Sequence, residues 1–182
     1  NLEVEGVHKN GSLIPFSMTS KLVKDEHGKP VKVIGMLRDI SDQKQAEEKV
    51  RASEARYHSI MEASPDPIVI YDMEGKTVYI NPAFTHVFGW TFEELAGKRI
   101  DNVPDEAWPQ TRRLLDKLAQ GESVTGVKTK RYDKNMNILD IDMSFNVWKD
   151  KSGKPVGSVV ILRDVTEQNK MLAQLNKAQR ME

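Results

Sequence analysis

Four histidines, His8, His27, His58 and His86, are the side chains of this sequence best suited to take up a phosphoryl group or to move a proton near neutral pH. Lys9, Gly28, Ser59 and Val87 follow them, so none is followed by an acidic residue as a phosphoacceptor would be. No glycine-rich loop follows a strand and opens a helix, which removes the backbone cradle that nucleotide phosphates need. The chain has no cysteine. Disulfides, thiolate zinc sites, iron–sulfur clusters and cysteine nucleophiles are thereby excluded, and a reducing cytoplasm fits. His86 lies on a short helix whose apolar stripe is Ala83, Phe84, Val87 and Phe88, which leaves the imidazole to solvent. In the basic cluster Lys128, Lys130, Arg131 and Lys134, the first two share a face opposite Val127 and Thr129, the pattern of a solvated sheet edge rather than a phosphate-binding stripe. Neither catalysis nor nucleic-acid binding is expected of this stretch.

Those residues are carried by a chain of 182 residues, 38% hydrophobic and 30% charged, with 27 basic side chains balancing 27 acidic ones. That length suits one large domain or two small ones. No apolar run approaches the ~20 residues needed to span a bilayer, and Asn1-Leu2-Glu3-Val4-Glu5 lacks a basic-then-apolar leader pattern. A cytoplasmic location without membrane contact is the expectation.

A repeat organises the sequence. Residues 1–44 align without a gap on 126–169, an offset of 125, with thirteen identities that include Gly28-Lys29-Pro30-Val31 on Gly153-Lys154-Pro155-Val156 and Leu37-Arg38-Asp39 on Leu162-Arg163-Asp164. Each copy reads as strand, turn, strand, helix. In the second, Ile141, Met143, Phe145 and Val147 alternate with polar residues, a strand with one buried face. Val156 to Val165 is apolar on both faces, so its outer face wants a partner. Ser123–Tyr132 precedes them across a polar hairpin in which Asn135 is expected to be left-handed. Upstream, Ile68-Val69-Ile70-Tyr71 and Thr77-Val78-Tyr79-Ile80 form a hairpin after Ser64-Pro65-Asp66-Pro67 breaks a helix running from Ser41 to Ala63. Between the two strand groups Asn81 and Thr91 cap short helices, Thr91 with Glu94 as a capping box. A longer helix covers Asp105–Gln120 with Trp108, Thr111, Leu115 and Leu118 on one stripe.

In this order the residues resemble a PAS domain. The resemblance rests on Ser64-Pro65-Asp66-Pro67 before the first strand, Asn81-Pro82-Ala83-Phe84 with Phe88-Gly89-Trp90, Glu94-Leu95-Ala96-Gly97, and the closing Arg163-Asp164-Val165-Thr166, of which Arg38-Asp39-Ile40-Ser41 is a second copy. It implies an α+β fold: a five-stranded antiparallel sheet with short helices on one face, flanked by long signalling helices of coiled-coil type. Residues 1–40 would be the last three strands of a first PAS domain, 41–63 a linker helix, 64–166 a complete PAS domain and 167–182 an exit helix. The isolated strands of 1–40, with Phe16, Met18 and Leu22 facing inward, lack the helices that should cover them.

The resemblance also implies roles. Arg163, Asp164 and Thr166, and Asp39 and Ser41 in the first copy, would tie the last strand to the helix that carries the signal out, with Thr166 or Ser41 capping that helix. Inward family positions fall on Val69, Tyr71, Val87, Ile100, Ile141, Met143, Phe145, Val160 and Leu162, which would line a pocket for a small apolar ligand or simply fill the core; the filled core is favoured. No cofactor is expected. Gly97-Lys98-Arg99 leads to Ile100 where light–oxygen–voltage relatives place their adduct-forming cysteine, and the Asp105–Gln120 helix has no axial histidine for haem. A flavin without an adduct would have Trp90 or Trp148 to stack on. Gln43, Ala46, Val50, Ser53, Tyr57 and Ile60 repeat at spacings of three and four, and Gln168, Met171, Leu175 and Ala178 keep the same register 125 residues later, so a parallel homodimer through both helices is expected. Residues 175–182 resemble the approach to the phosphoacceptor helix of bacterial sensor histidine kinases, which places any kinase beyond Glu182. The expected role is a sensory relay in a two-component system; a ligand-free dimerisation spacer, a flavin or haem redox sensor and a nucleotide-cyclase regulator are the alternatives.

Overall fold

The computed structural model describes residues 2–180. Met181 and Glu182, the end of the expected exit helix, and Asn1, the start of the expected first domain, lie outside the described residues. The chain divides into two compact units, one up to His58 and one from Ser59 onward.

The first unit is built on an antiparallel sheet of β1 (Leu2–Val7), β2 (Leu13–Lys24) and β3 (Pro30–Asp39), followed by α1 (Ser41–Ala63). Within this unit Ile40 is the one buried hydrophobic side chain among the described residues, while Leu22, Val33 and Leu37 are about half exposed or more. Three strands without covering helices cannot bury both sides of their apolar residues.

The second unit places β4 (Ile68–Asp72) and β5 (Thr77–Ile80), then α2 (Pro82–Phe88), α3 (Phe92–Leu95), a 3-10 turn at Asp105–Ala107 and α4 (Trp108–Ala119), before β6 (Val124–Tyr132), β7 (Ile138–Lys149) and β8 (Pro155–Asp164), and closes with α5 (Thr166–Gln179). The strands form one antiparallel sheet in the order β5-β4-β8-β7-β6. β8 is its centre, paired with both β4 and β7, which accounts for a strand apolar on both faces. Inward residues of β4, β7 and β8 meet the stacked rings of Phe84 and Phe88, both fully buried, to form the core. Among the described residues no helix is long and apolar enough to cross a membrane.

The repeat is structural. β2, β3 and the first residue of α1 lie 125 positions before β7, β8 and the first residue of α5, and both strand pairs carry a bulge at the same place, Val23/Lys24 and Trp148/Lys149. The hairpin turns share one device. Asp25, Asp72, Asp133 and Asp150 each accept, through one carboxylate oxygen, the amides two and four residues on. The residue three after the aspartate is then left-handed: Gly28, Gly75 and Gly153 in three turns, and Met136 at φ 66° in the fourth. The expected left-handed residue, Asn135, is therefore one position off, because its amide is taken by Asp133 and the turn passes the strained conformation to its neighbour. Met136 is 65% exposed and loses little by truncation. Met136→Gly is expected to stabilise the chain by about 1 kcal/mol, read from urea unfolding.

Hydrogen bonds from the Ser152 side chain and from the amides of Lys154 and Ser152 hold the Asp150 carboxyl below its ordinary value. The Lys134 ammonium and then the Thr91 amide do the same for Glu94. Depressed folded-state values mean that these contributions are present above the unfolded carboxyl values of about 4 and are lost as pH falls through the folded ones. Melting temperature is expected to drop below pH about 4, with a shallower drop in Asp150→Ala.

Candidate functional site

Between the inner face of the second sheet and α4 lies a cavity of about 400 Å³. The strands supply Tyr71, Met143, Phe145, Val160 and Leu162, and the segment before the 3-10 turn supplies Ile100. Six of the nine expected pocket positions thus meet at the cavity. Val69, Val87 and Ile141 do not; Val69 and Ile141 are sealed in the core and Val87 packs against it. Core and cavity share their side chains: Met143, Phe145, Val160 and Leu162 belong to the buried core against which Leu114 and Leu118 of α4 pack, and together with Trp108 and Thr111 they also line the cavity. Leu115, expected on that stripe, is half exposed at the cavity mouth, and Leu114 takes the inward place.

Sequence reasoning missed the most unusual lining residue. Arg131, assigned with its neighbours to a solvated edge, is only 5% exposed and lines the cavity. Its parity was readable: Val127, Thr129 and Arg131 share one face of β6, opposite Lys128 and Lys130. One guanidinium nitrogen, Nη1, donates to Thr129 Oγ1 at 2.9 Å and to the Lys130 carbonyl at 2.7 Å. Among the described residues the other, Nη2, reaches Thr111 Oγ1 at 3.4 Å and the Met143 thioether at 3.7 Å. Burial pushes the phenol of Tyr71, on the same cavity, upward, and the charge of Arg131 pulls it back. At neutral pH Tyr71 is a neutral donor. His86 is exposed, as expected.

Neither tryptophan considered for a flavin reaches the cavity. Trp90 packs against the core, and Trp148, 52% exposed, lies on the other face of the sheet over Gly157. A Cβ on Gly157 would stand 2.0 Å from the Trp148 indole nitrogen and 2.6 Å from the Tyr71 carbonyl. Gly157→Ala is expected to cost about 1–3 kcal/mol by overpacking at this central strand, with an accompanying change in tryptophan emission as the indole is displaced. With no thiol in the chain, the residues do not fit an adduct-forming flavin. The cavity lining holds no histidine or cysteine, so neither a histidine nor a thiolate is there to ligate a haem iron. Among the described residues no acidic and histidine side chains cluster as a metal site.

From the cavity the chain leads out along β8. Arg163 grips Asp66 with two nitrogens, Nη2 at 2.7 Å and Nε at 3.1 Å, which joins the end of β8 to the segment before β4. Asp164 accepts the Thr166 amide at 2.9 Å, and the Thr166 hydroxyl accepts the Asp140 amide at 2.9 Å. Thr166 is therefore not the expected cap: Asp164 takes the first amide of α5, which frees the hydroxyl to pin the helix to β7. Val165, buried, donates to the Asp140 carbonyl, and Asn169 reaches the Asp140 carboxylate at 3.2 Å. The first repeat keeps part of this joint. Asp39 accepts the Ser41 amide at 2.8 Å and Ile40 donates to the Pro15 carbonyl, but Pro15 stands where β7 has Asp140 and has no N–H for Ser41 to accept. Hydrogen bonds from the side chain and then the amide of Ser41 hold the Asp39 carboxyl below its usual range.

A second joint was visible only as a helix cap. Asn81, 1% exposed, accepts the amides of Ile68 and Phe84 through Oδ1 at 2.8 and 3.0 Å, and its Nδ2 donates toward the carbonyls of Asp66, Met61 and Ser64 at 3.0, 3.2 and 3.4 Å. One side chain thus fixes the end of α1, the start of β4 and the start of α2.

The family model of the PAS fold matches residues 61–170, and that of a PAS domain matches residues 1–42. The probable diguanylate cyclase DgcE of Escherichia coli is 25% identical over 85% of this chain and 14% of its own length. Sensor histidine kinase TmoS of Ectopseudomonas mendocina is 28% identical over 70% of this chain and 13% of its own, and sensor protein FixL of Bradyrhizobium diazoefficiens is 24% identical over 87% and 32%. The chain therefore spans about a third or less of the length of these relatives. The crystal structure of a PAS domain from Colwellia psychrerythraea superposes with a TM-score of 0.56 at 19% identity, covering 62% of this chain and 97% of that one, a likeness of fold alone. With the strand order, the short helices over the sheet and the joint from β8 into α5, these matches establish that the chain belongs to the PAS family of sensory domains.

Proposed function

We propose that the second unit senses through its cavity and passes its state along β8 and α5 to an output domain, a histidine kinase of a two-component system. The observation that carries this reading is the position of β8: Val160 and Leu162 line the cavity, and two and four residues after Leu162 Asp164 and Thr166 fasten the strand to the exit helix and to β7. A shift of β8 against β7 cannot leave α5 unmoved, since both hold the same hydrogen-bonded residue. α1 and α5 expose Val50, Tyr57, Ile60, Met171 and Leu175, which supports pairing of each helix with its counterpart in a second copy as a parallel coiled coil. The cytoplasm suits a chain without cysteine. The relatives include histidine kinases and a diguanylate cyclase, so the output is tested directly. The full-length protein incubated with labelled ATP should phosphorylate itself on an acid-labile histidine. Formation of a cyclic dinucleotide from GTP would overturn the kinase reading, and visible absorption in the purified protein would overturn a sensor without a chromophore.

A further inference from the structure

A buried guanidinium facing a cavity without a counter-charge is costly, because a charge withdrawn from water destabilises the fold unless it is paired. Among the described residues no carboxylate forms an ion pair with Arg131, and its partners are two hydroxyls, a carbonyl and a thioether. The first repeat does without it. Gly6 occupies the corresponding position, and the Phe16 ring fills the place where a side chain would start. The arginine is thus no requirement of the strand pairing that both repeats share. Arginine does not deprotonate in proteins, so the positive charge stays although burial lowers its pKa.

We propose that the cavity binds a small carboxylic acid with a largely apolar body, the carboxylate seated on Arg131. This rests on the reading of the cavity as the input site and names the chemistry that it accepts. Nη1 is already saturated, whereas Nη2 is held by one long contact and a weak sulfur acceptor and is free to turn to a better one. A carboxylate oxygen is the stronger, charge-assisted acceptor that Nη2 lacks, and Thr111 and the Tyr71 hydroxyl stand on the same cavity to complete its shell. Arg131 is the buried cation of the lining, whereas Arg99 is exposed and donates to the Glu74 carbonyl, so one carboxylate balances the buried charge. The remaining wall is largely apolar, through Leu114, Leu118, Phe145 and Val160, with the less buried Asp72, Glu74 and Arg99 also on the lining, and it asks for a hydrocarbon or aromatic body.

Thermal melting and isothermal titration of the whole chain with phenylacetate, benzoate and hexanoate, each against its neutral amide, test the proposal. At least one acid should raise the melting temperature while its amide does not, since a ligand bound only by the folded state stabilises it. Arg131→Met should melt at least as high as the parent without ligand and should bind that acid at least about tenfold more weakly, as expected on losing a charged hydrogen bond. Equal effects of acid and amide, no effect of any acid, or undiminished binding to Arg131→Met would overturn it, as would a lower melting point of that variant, which would assign the charge to the fold. Should the variant not fold, the acid-against-amide comparison on the parent chain decides by itself. These readouts concern the cavity only, so their failure is distinguishable from failure of the relay, which is read without any ligand from hydrogen exchange in α5.

Discussion

Asn81→Ala should lower the unfolding free energy by about 3 kcal/mol, the combined cost of a lost helix cap and of a buried Ile68 amide left without an acceptor. Urea unfolding of the whole chain measures it. The partner substitution Asn81→Asp separates the roles of the two side-chain atoms. It keeps the acceptors for Ile68 and Phe84 but turns a carboxylate oxygen toward the carbonyls that Nδ2 now serves. That carboxyl would have a folded-state pKa raised above its unfolded value, because only the protonated form can donate there. The stability deficit relative to the parent should therefore be smallest in acid and should grow as pH rises through the raised value. A deficit independent of pH would show that the Nδ2 contacts contribute nothing.

Thr166→Val should loosen the joint between sheet and exit helix. The Asp140 amide loses its acceptor in a part-buried place, a cost of about 1–3 kcal/mol concentrated at the start of α5. Amide exchange across 166–170 should accelerate by at least about tenfold while the core of β7 and β8 keeps its protection. Thr166→Ser retains the hydroxyl and should restore the parent rate. In the proposed relay the valine variant also uncouples output from cavity state, whereas the serine variant does not.

Much of this architecture can be read from residue patterns. Alternation in Ile141, Met143, Phe145 and Val147 marks the inner face of β7, and all four are buried. The offset of 125 carries strands, bulge and turn from one repeat to the other because each feature is local, set by the aspartate of the turn and the proline that starts the next strand. What composition conceals is long-range geometry. Arg131 looked solvated because it stands among lysines, yet parity along β6 overrides neighbourhood, and the side chain follows the strand to the inner face. That Val160 and Phe145, buried in the core, also border a cavity depends on how α4 stands over the sheet, which no spacing within α4 reveals. Asn81 shows as a cap from its position before Pro82, but its bonds to Met61, Ser64 and Asp66 depend on the chain folding back past it. Thr166 follows the preference of threonine for helix starts, and Asp164 displaces it because an aspartate two residues earlier reaches the same amide.

The relay from cavity to α5 is tested most directly by hydrogen exchange along the whole chain, comparing the parent with Leu118→Trp, whose indole enters the cavity from α4 and imitates an occupant. Changed protection at 160–164 that continues into 166–179 is the predicted result. Changes that stop at the cavity wall, with α5 exchanging at the parent rate, would contradict the account.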